Sequence, residues 1–226
     1  MQEFLHYIMP NVVPKSSILY KCFRDTLVMV GWSGSISLVV GLTLGMIITM
    51  VKPGALFDNK PIHWVLDKGV NFFRSIPFII LMAGLMPLSR RIMGTGIGVP
   101  GAIIPLVFGA VPFYSRQVEA ALAEVDRGLI EAALSMGTSR LGIIFRIYLP
   151  EGLPGIVRGT TITAISLIGL TAMAGVVGAG GLGDFAIRYG HDRNQPDVIY
   201  ITIVILVLLV SVLQFVGNYF AEKNTH

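Results

Sequence analysis

Apolar positions along this chain come in long blocks rather than stripes, and the charged residues gather in the gaps between them. Residues 27–51 and 159–183 each run for 25 positions without a formal charge, about 37 Å if helical, which is enough for a tilted membrane crossing. Three further blocks lie around 75–89, 99–118 and 198–221. The pattern predicts an all-α integral membrane protein with five transmembrane helices, at about 27–51, 70–89, 97–118, 158–182 and 198–219. Together they form one transmembrane domain over 22–218, preceded by an N-terminal segment 1–21 and followed by a tail 219–226.

The blocks differ in character. The first contains Gly41-x3-Gly45, a spacing that permits close helix contact but that is equally at home in ordinary packing. In the connector after it, Ile62, Val65, Leu66 and Val70 share one helical face beside Trp64, which suits a short helix lying in the membrane interface. The second block is the shortest because Arg74 and Arg90 bound it, and Pro77 is expected to bend or start that helix. The third carries Pro100, Pro105 and Pro112, so a kinked helix inside the bundle is expected. Of the 25 residues at 159–183, 16 are Gly, Ala, Ser or Thr. Lipid gains little from such a surface, whereas a polar solute could use its hydroxyls and backbone groups, so this span is the candidate path-lining helix. Met173, Thr171, Ser166 and Gly169 are its candidate residues. Met173 is read as part of a constriction shared with a second copy, and gap filling in a helix interface is the plain alternative. The fifth block is dense in Val, Ile and Leu and is expected to face lipid. The charged residues between spans four and five read as a solvated loop.

One segment, 122–152, is polar, helix-prone and broken by a single glycine, so it belongs in water between spans three and four. Asp126 can cap a first helix, and residues 129–136 propagate it to Gly137, which suits a left-handed turn. Thr138 or Ser139 caps a second helix over 140–148 with Leu141, Ile144, Phe145 and Tyr148 on one face, and Pro150 is expected to stop it. Ala132 and Ala133 carry little side chain, which would let a partner approach the backbone, and Glu131 offers one charge. A simple helical hairpin between spans is the competing reading.

Composition narrows the chemistry. With 54% hydrophobic and 13% charged residues and a mean hydropathy of +0.74, the chain has too little polar surface for a soluble globule of 226 residues. A net charge of +4 fits basic loops near anionic lipid and gives no reason to invoke nucleic acid. A single cysteine, Cys22, excludes an internal disulfide and a cysteine-based metal cluster. Residues 1–26 lack the pattern of a cleavable signal, so the first span is expected to direct its own insertion. His63 has no ligand partner at metal spacing. There is no Gly-x4-Gly-Lys-Ser/Thr, and the spans hold no acid, base and nucleophile set. The chain is therefore expected to be neither an enzyme nor a holder of a cofactor or metal, and to take its energy from elsewhere.

The pattern Glu131-Ala132-Ala133-x3-Gly137-x9-Ile147-x-Leu149-Pro150 resembles the cytoplasmic signature loop of permease subunits of bacterial ATP-binding-cassette importers. Arg74-Ser75-Ile76-Pro77, Pro112-Phe113, Leu149-Pro150-Glu151-Gly152 and Gly178-Ala179-Gly180-Gly181-Leu182-Gly183 are similar to the methionine-importer branch. The resemblance implies that Glu131, Ala132, Ala133, Gly137, Ile147, Leu149 and Pro150 couple the permease to an ATPase. It also implies a homodimer, a cytoplasmic ATPase dimer holding ATP and Mg, and an external methionine-binding receptor. The expected location is the bacterial inner membrane, with the N-terminus outside, the loop and C-terminus inside, and membrane lipid around the spans. Open alternatives are a permease for another small amino acid or organosulfur solute, an ion-coupled carrier, or a structural subunit. The ion-coupled reading lacks an ionisable group at mid-membrane.

Overall fold

The computed structural model describes residues 9–223, and among them the regular structure is helical throughout, with no strand. A 3-10 turn, Val13–Lys15, leads into α1 (Ser16–Val51). Then follow α2 (Lys60–Ser75), α3 (Phe78–Met93), α4 (Gly98–Ala123), α5 (Arg127–Ser135) and α6 (Arg140–Ile143). A π-helical segment, Ile144–Tyr148, joins α6 to α7 (Leu149–Val176), and a second, Ala186–His191, follows α8 (Gly181–Phe185). The last helix is α9 (Pro196–Lys223). Residues 1–8 of the expected N-terminal segment and 224–226 of the expected tail lie outside the described residues.

Several expected boundaries shift for local physical reasons. α1 starts at Ser16 rather than near 27. Lys21 and Arg24 are exposed on its outer side while Cys22, Thr26 and Met29 are buried at helical spacing, so the charges decorate the helix instead of preventing it. Span two is not one helix over 70–89. Its first residues end the amphipathic α2, and Pro77, extended at ψ 132°, caps the start of α3. The expected fourth span ends at Val176, because the backbone turns at Gly178 and Gly180, with φ of 90° and 80°. The charged stretch after it is largely helical rather than a free loop, and the Arg188 guanidinium lies 3.0 Å from the Asp184 carboxylate.

The chain forms two compact units. Among the described residues the first comprises 9–36, 76–109 and 164–213, and the second comprises 37–75, 110–163 and 214–223. The first has a small core of Val12, Cys22, Phe185 and Val198. Polar ties surround it: Asn11 donates from its backbone N and Nδ2 to the two Asp197 carboxylate oxygens, both at 3.0 Å, and Lys15 Nζ donates to Gln195 Oε1 at 2.7 Å.

In the second unit α4 supplies the centre of the core through Tyr114, Val118, Ala121 and Leu122. Glycines admit it closely on two sides. A Cβ on Gly45 of α1 would lie 2.6 Å from Ser115 O and 2.7 Å from Val118 Cβ, and one on Gly155 of α7 would lie 2.8 Å from Ala121 Cβ. The Gly41-x3-Gly45 spacing is thus a packing seam within the chain. α9 stands at the opposite extreme, with only 11% of its most apolar window buried, as a lipid-facing helix requires.

Candidate functional site

The polar insert folds as a hinged pair. Asp126 Oδ1 accepts the Gly128 N–H at 2.8 Å and caps α5, and Ser139 Oγ accepts the Gly142 N–H at 3.1 Å and caps α6. Between them Gly137 sits at φ 76°. Its N–H reaches Leu134 O and the Thr138 N–H reaches Ala133 O, both at 3.0 Å, which satisfies carbonyls that the end of α5 would otherwise leave open.

The predicted coupling residues divide by direction. Ile130 and Ala133 face inward and pack in the core with Val125, Ile143 and Tyr148. Ala133, only 3% exposed, therefore does not offer its backbone to a partner, contrary to the sequence expectation, because its place on α5 turns it onto the core. Ile147 and Leu149 also rest against that core. Glu131, Ala132, Gly137 and Pro150 are exposed. The outward face of α5 is Leu129, Ala132 and Met136, spaced i, i+3 and i+7, and Met136 is 78% exposed. Leu129 and Met136 are missing from the signature pattern, and only helical phasing from Ala132 could have found them.

Pro150 does not stop the second helix. It follows the π-helical segment Ile144–Tyr148, and the helical path from Arg140 to Val176 is continuous over 37 residues. The chain therefore leads from the hinge directly into the helix that bears the candidate path residues.

Along α7, Ile162, Ser166, Gly169, Met173 and Val176 follow one helical stripe, and the stripe is open. Met173 is 39% exposed, and a Cβ on Gly169 would meet nothing within 4 Å. Thr171 is different. It is buried, and its Oγ1 donates to Ile168 O at 2.7 Å, so of the four path candidates it alone lies off the open stripe.

Beside the hinge lies an open groove of about 460 Å³ walled by the connector after α1, the end of α4, and α5. Glu131 and Arg127 reach into it from α5, with Lys52 and Arg140 on other walls. Above it a polar cluster ties α2 to α4, a feature the sequence reading did not anticipate. Arg116 Nη2 donates to Asp67 Oδ1 at 2.5 Å and to Asn71 Oδ1 at 3.1 Å, and Nη1 donates to Glu119 Oε2 at 2.5 Å. Its signal was present as Asp67/Asn71 at i, i+4 and Arg116/Glu119 at i, i+3, although neither pair alone reveals the tertiary contact.

A multi-pass helical bundle whose ordered polar insert is a glycine-hinged helix pair, fused directly to a small-residue span, defines a membrane component of a transport system. The description "Binding-protein-dependent transport system inner membrane component" belongs to the family model that matches residues 38–225, and the chain belongs to that family.

Among curated relatives, a probable D-methionine transport system permease protein MetI of Vibrio cholerae is 43% identical over 211 residues, covering 93% of this chain and 94% of that protein. The methionine import system permease protein MetP of Bacillus subtilis is 44% identical over 169 residues, covering 75% of this chain and 76% of that one. Among solved structures, an inward-facing conformation of the MetNI methionine ABC transporter matches with a TM-score of 0.91 at 42% identity, over 94% of this chain and 99% of that chain. An amino acid ABC transporter at 17% identity shares the fold, with a TM-score of 0.78 over 95% of this chain and 98% of that chain.

Proposed function

We infer that this chain is the permease subunit of an ATP-driven methionine importer in the bacterial inner membrane. The substrate rests on the methionine transport named for the Vibrio and Bacillus relatives and for the MetNI structure. The mechanism rests on one observation above all, the unbroken helical path from the second hinge helix to the open stripe of α7.

In this reading two copies pair so that their Ser166, Gly169 and Met173 stripes border a shared path. A cytoplasmic ATPase dimer, which carries the ATP and its Mg, grips the outward face of α5 at Leu129, Ala132 and Met136, and a methionine-binding receptor delivers substrate from the other side. The hinge faces the cytoplasm, the C-terminus lies inside and the N-terminus outside. ATP binding moves the gripped hinge; Gly137 fixes the angle between α5 and α6, and the continuous rod carries the displacement to Met173. The Met173 thioether narrows the path, and substrate displaces it.

The test is transport by the complete assembly in vesicles, with ATP hydrolysis followed in parallel. ATP-dependent methionine uptake should be accompanied, in Met173→Ala, by faster hydrolysis without substrate and less uptake per ATP. Uptake of another amino acid in preference to methionine would overturn the substrate. An unchanged ratio of uptake to hydrolysis in Met173→Ala would remove the constriction.

A further inference from the structure

The second unit also carries a groove against the second hinge helix, on a side that the proposed ATPase contact at Leu129, Ala132 and Met136 does not use. Between the lower part of α1 and the α6–π segment runs an apolar groove of about 270 Å³, lined by Thr43, Met46, Ile47, Phe57, Leu141 and Phe145 among others. Leu141 and Phe145 are 62% and 65% exposed. The α1 wall belongs to a candidate membrane span whose most apolar window has a mean hydropathy of 2.1, so on that side the groove borders the part of the chain suited to lipid.

At its end the groove meets a second depression, of about 470 Å³, and Val51 and Phe57 line both. There the polarity changes. The Arg140 guanidinium lies over the Phe57 ring, 5.6 Å from its centre, which holds the charge at the junction. Arg140 and Arg127 make no ion pair among the described residues. The nearby carboxylates are largely committed: Asp58 Oδ2 accepts the Gly54 N–H at 2.9 Å, and Glu119 lies between Arg116 and Lys52. Glu131 remains, set against Arg127 and Lys52 in the adjoining groove. Arg140 is thus the cation at the junction, with the Asp58 carboxylate on the same depression.

We propose that this continuous surface binds one anionic membrane phospholipid, with an acyl chain in the groove between α1 and Leu141/Phe145 and the phosphodiester on Arg140. An ordinary annular lipid meets a convex helix surface, whereas here three segments wall the chain and a stacked cation stands at the groove's polar end. A water-soluble partner does not fit, because the apolar wall is part of a membrane span. The inference does not depend on which solute the protein transports.

The experiment is mass spectrometry of the intact transporter complex released from vesicles of equal parts phosphatidylglycerol and phosphatidylcholine. Wild-type protein should retain phosphatidylglycerol over phosphatidylcholine by roughly fivefold, the enrichment that one cation near the surface gives. Arg140→Gln should level the two lipids, Arg140→Lys should keep part of the preference, and Thr43→Trp, which fills the groove, should remove both. Arg158→Gln, a change to an exposed cation away from the groove, should alter nothing. Helical circular dichroism separates these outcomes from misfolding. Equal retention by the wild type, or an unchanged preference in Arg140→Gln, overturns the proposal. Displacement by inorganic phosphate would make the site one for a free anion, and oxidative cross-linking of Phe145→Cys between copies would make the groove an interface; either result also overturns it.

Discussion

Replacing Gly137 separates backbone geometry from side-chain bulk at the hinge. The residue lies at φ 76°, and a Cβ built on it has nothing within 4 Å, so the Cβ itself meets open space. The cost is entirely local. Alanine in the left-handed region costs about 1 kcal/mol, valine about 2 kcal/mol or more, and asparagine close to zero because its side chain tolerates that conformation. If the turn opens to relieve strain, the Thr138 N–H to Ala133 O bond at 3.0 Å is the first to break, and Leu129, Ala132 and Met136 swing relative to α6. A penalty of about 2 kcal/mol lowers the population of the intact hinge roughly 30-fold relative to its open form.

The assay is methionine uptake per ATP hydrolysed by the complete transporter carrying Gly137→Asn, Gly137→Ala or Gly137→Val. Asn should behave nearly as the parent, Ala should lose part of the coupling, and Val should lose most of it while hydrolysis continues. Asn and Val are similar in size, which makes the comparison decisive. Equal coupling in the two, whether both intact or both lost, refutes the argument that the left-handed turn sets the hinge.

Four substitutions test the packing and polar ties, each read as thermal unfolding of the purified protein in detergent. Gly45→Ala should cost about 1–3 kcal/mol, because the new Cβ would lie 2.6 Å from Ser115 O. Gly31→Ala in the same helix has open space and should be neutral or slightly stabilising. Arg116→Met should cost about 3 kcal/mol by leaving Asp67 and Glu119, whose side chains are only 27% and 16% exposed, without their guanidinium. Tyr114→Phe should lose about 1 kcal/mol with the 2.8 Å hydroxyl contact to Thr160, a small loss because Thr160 Oγ1 keeps its bond to Ile156 O.

How much of this was legible in the sequence depends on how local the cause was. The cap at Asp126, the left-handed Gly137 and the cap at Ser139 depend on neighbours a few residues away, and the structure has all three. The lipid-facing character of α9 was likewise carried by composition alone. Boundaries failed where tertiary packing overrode a local signal. Lys21 and Arg24 precede the uncharged run but lie on the exposed side of a helix that already starts at Ser16, and Pro150 looked like a stop but follows a π-helical segment inside a continuous helical path. Direction failed next. Ala132 and Ala133 are adjacent in the pattern, yet a 100° step on the helix sends one to solvent and the other into the core, and only knowing where the core lies decides which. Thr171, buried while Ser166, Gly169 and Met173 lie along the open stripe, differs from them for the same reason.

The position of α4 shows why such directions matter more in lipid than in water. Apolar side chains gain nothing by leaving hydrocarbon for a helix interface, so α4 is held instead by close approach and by polar pairing. Gly45 on one side and Gly152 and Gly155 on the other bring neighbouring backbones within reach of Ser115, Leu122 and Ala121. Where the helix nears the polar insert, contact is made by charge, through Arg116 with Asp67 and Glu119. The glycine contacts lose energy steeply on separation, whereas the ion cluster can stretch and re-form through long side chains. Motion driven at the hinge should therefore leave the glycine seams intact and be absorbed at the Arg116 cluster, so Arg116→Lys, which keeps the charge but lacks the planar fork, should impair coupling more than it impairs stability.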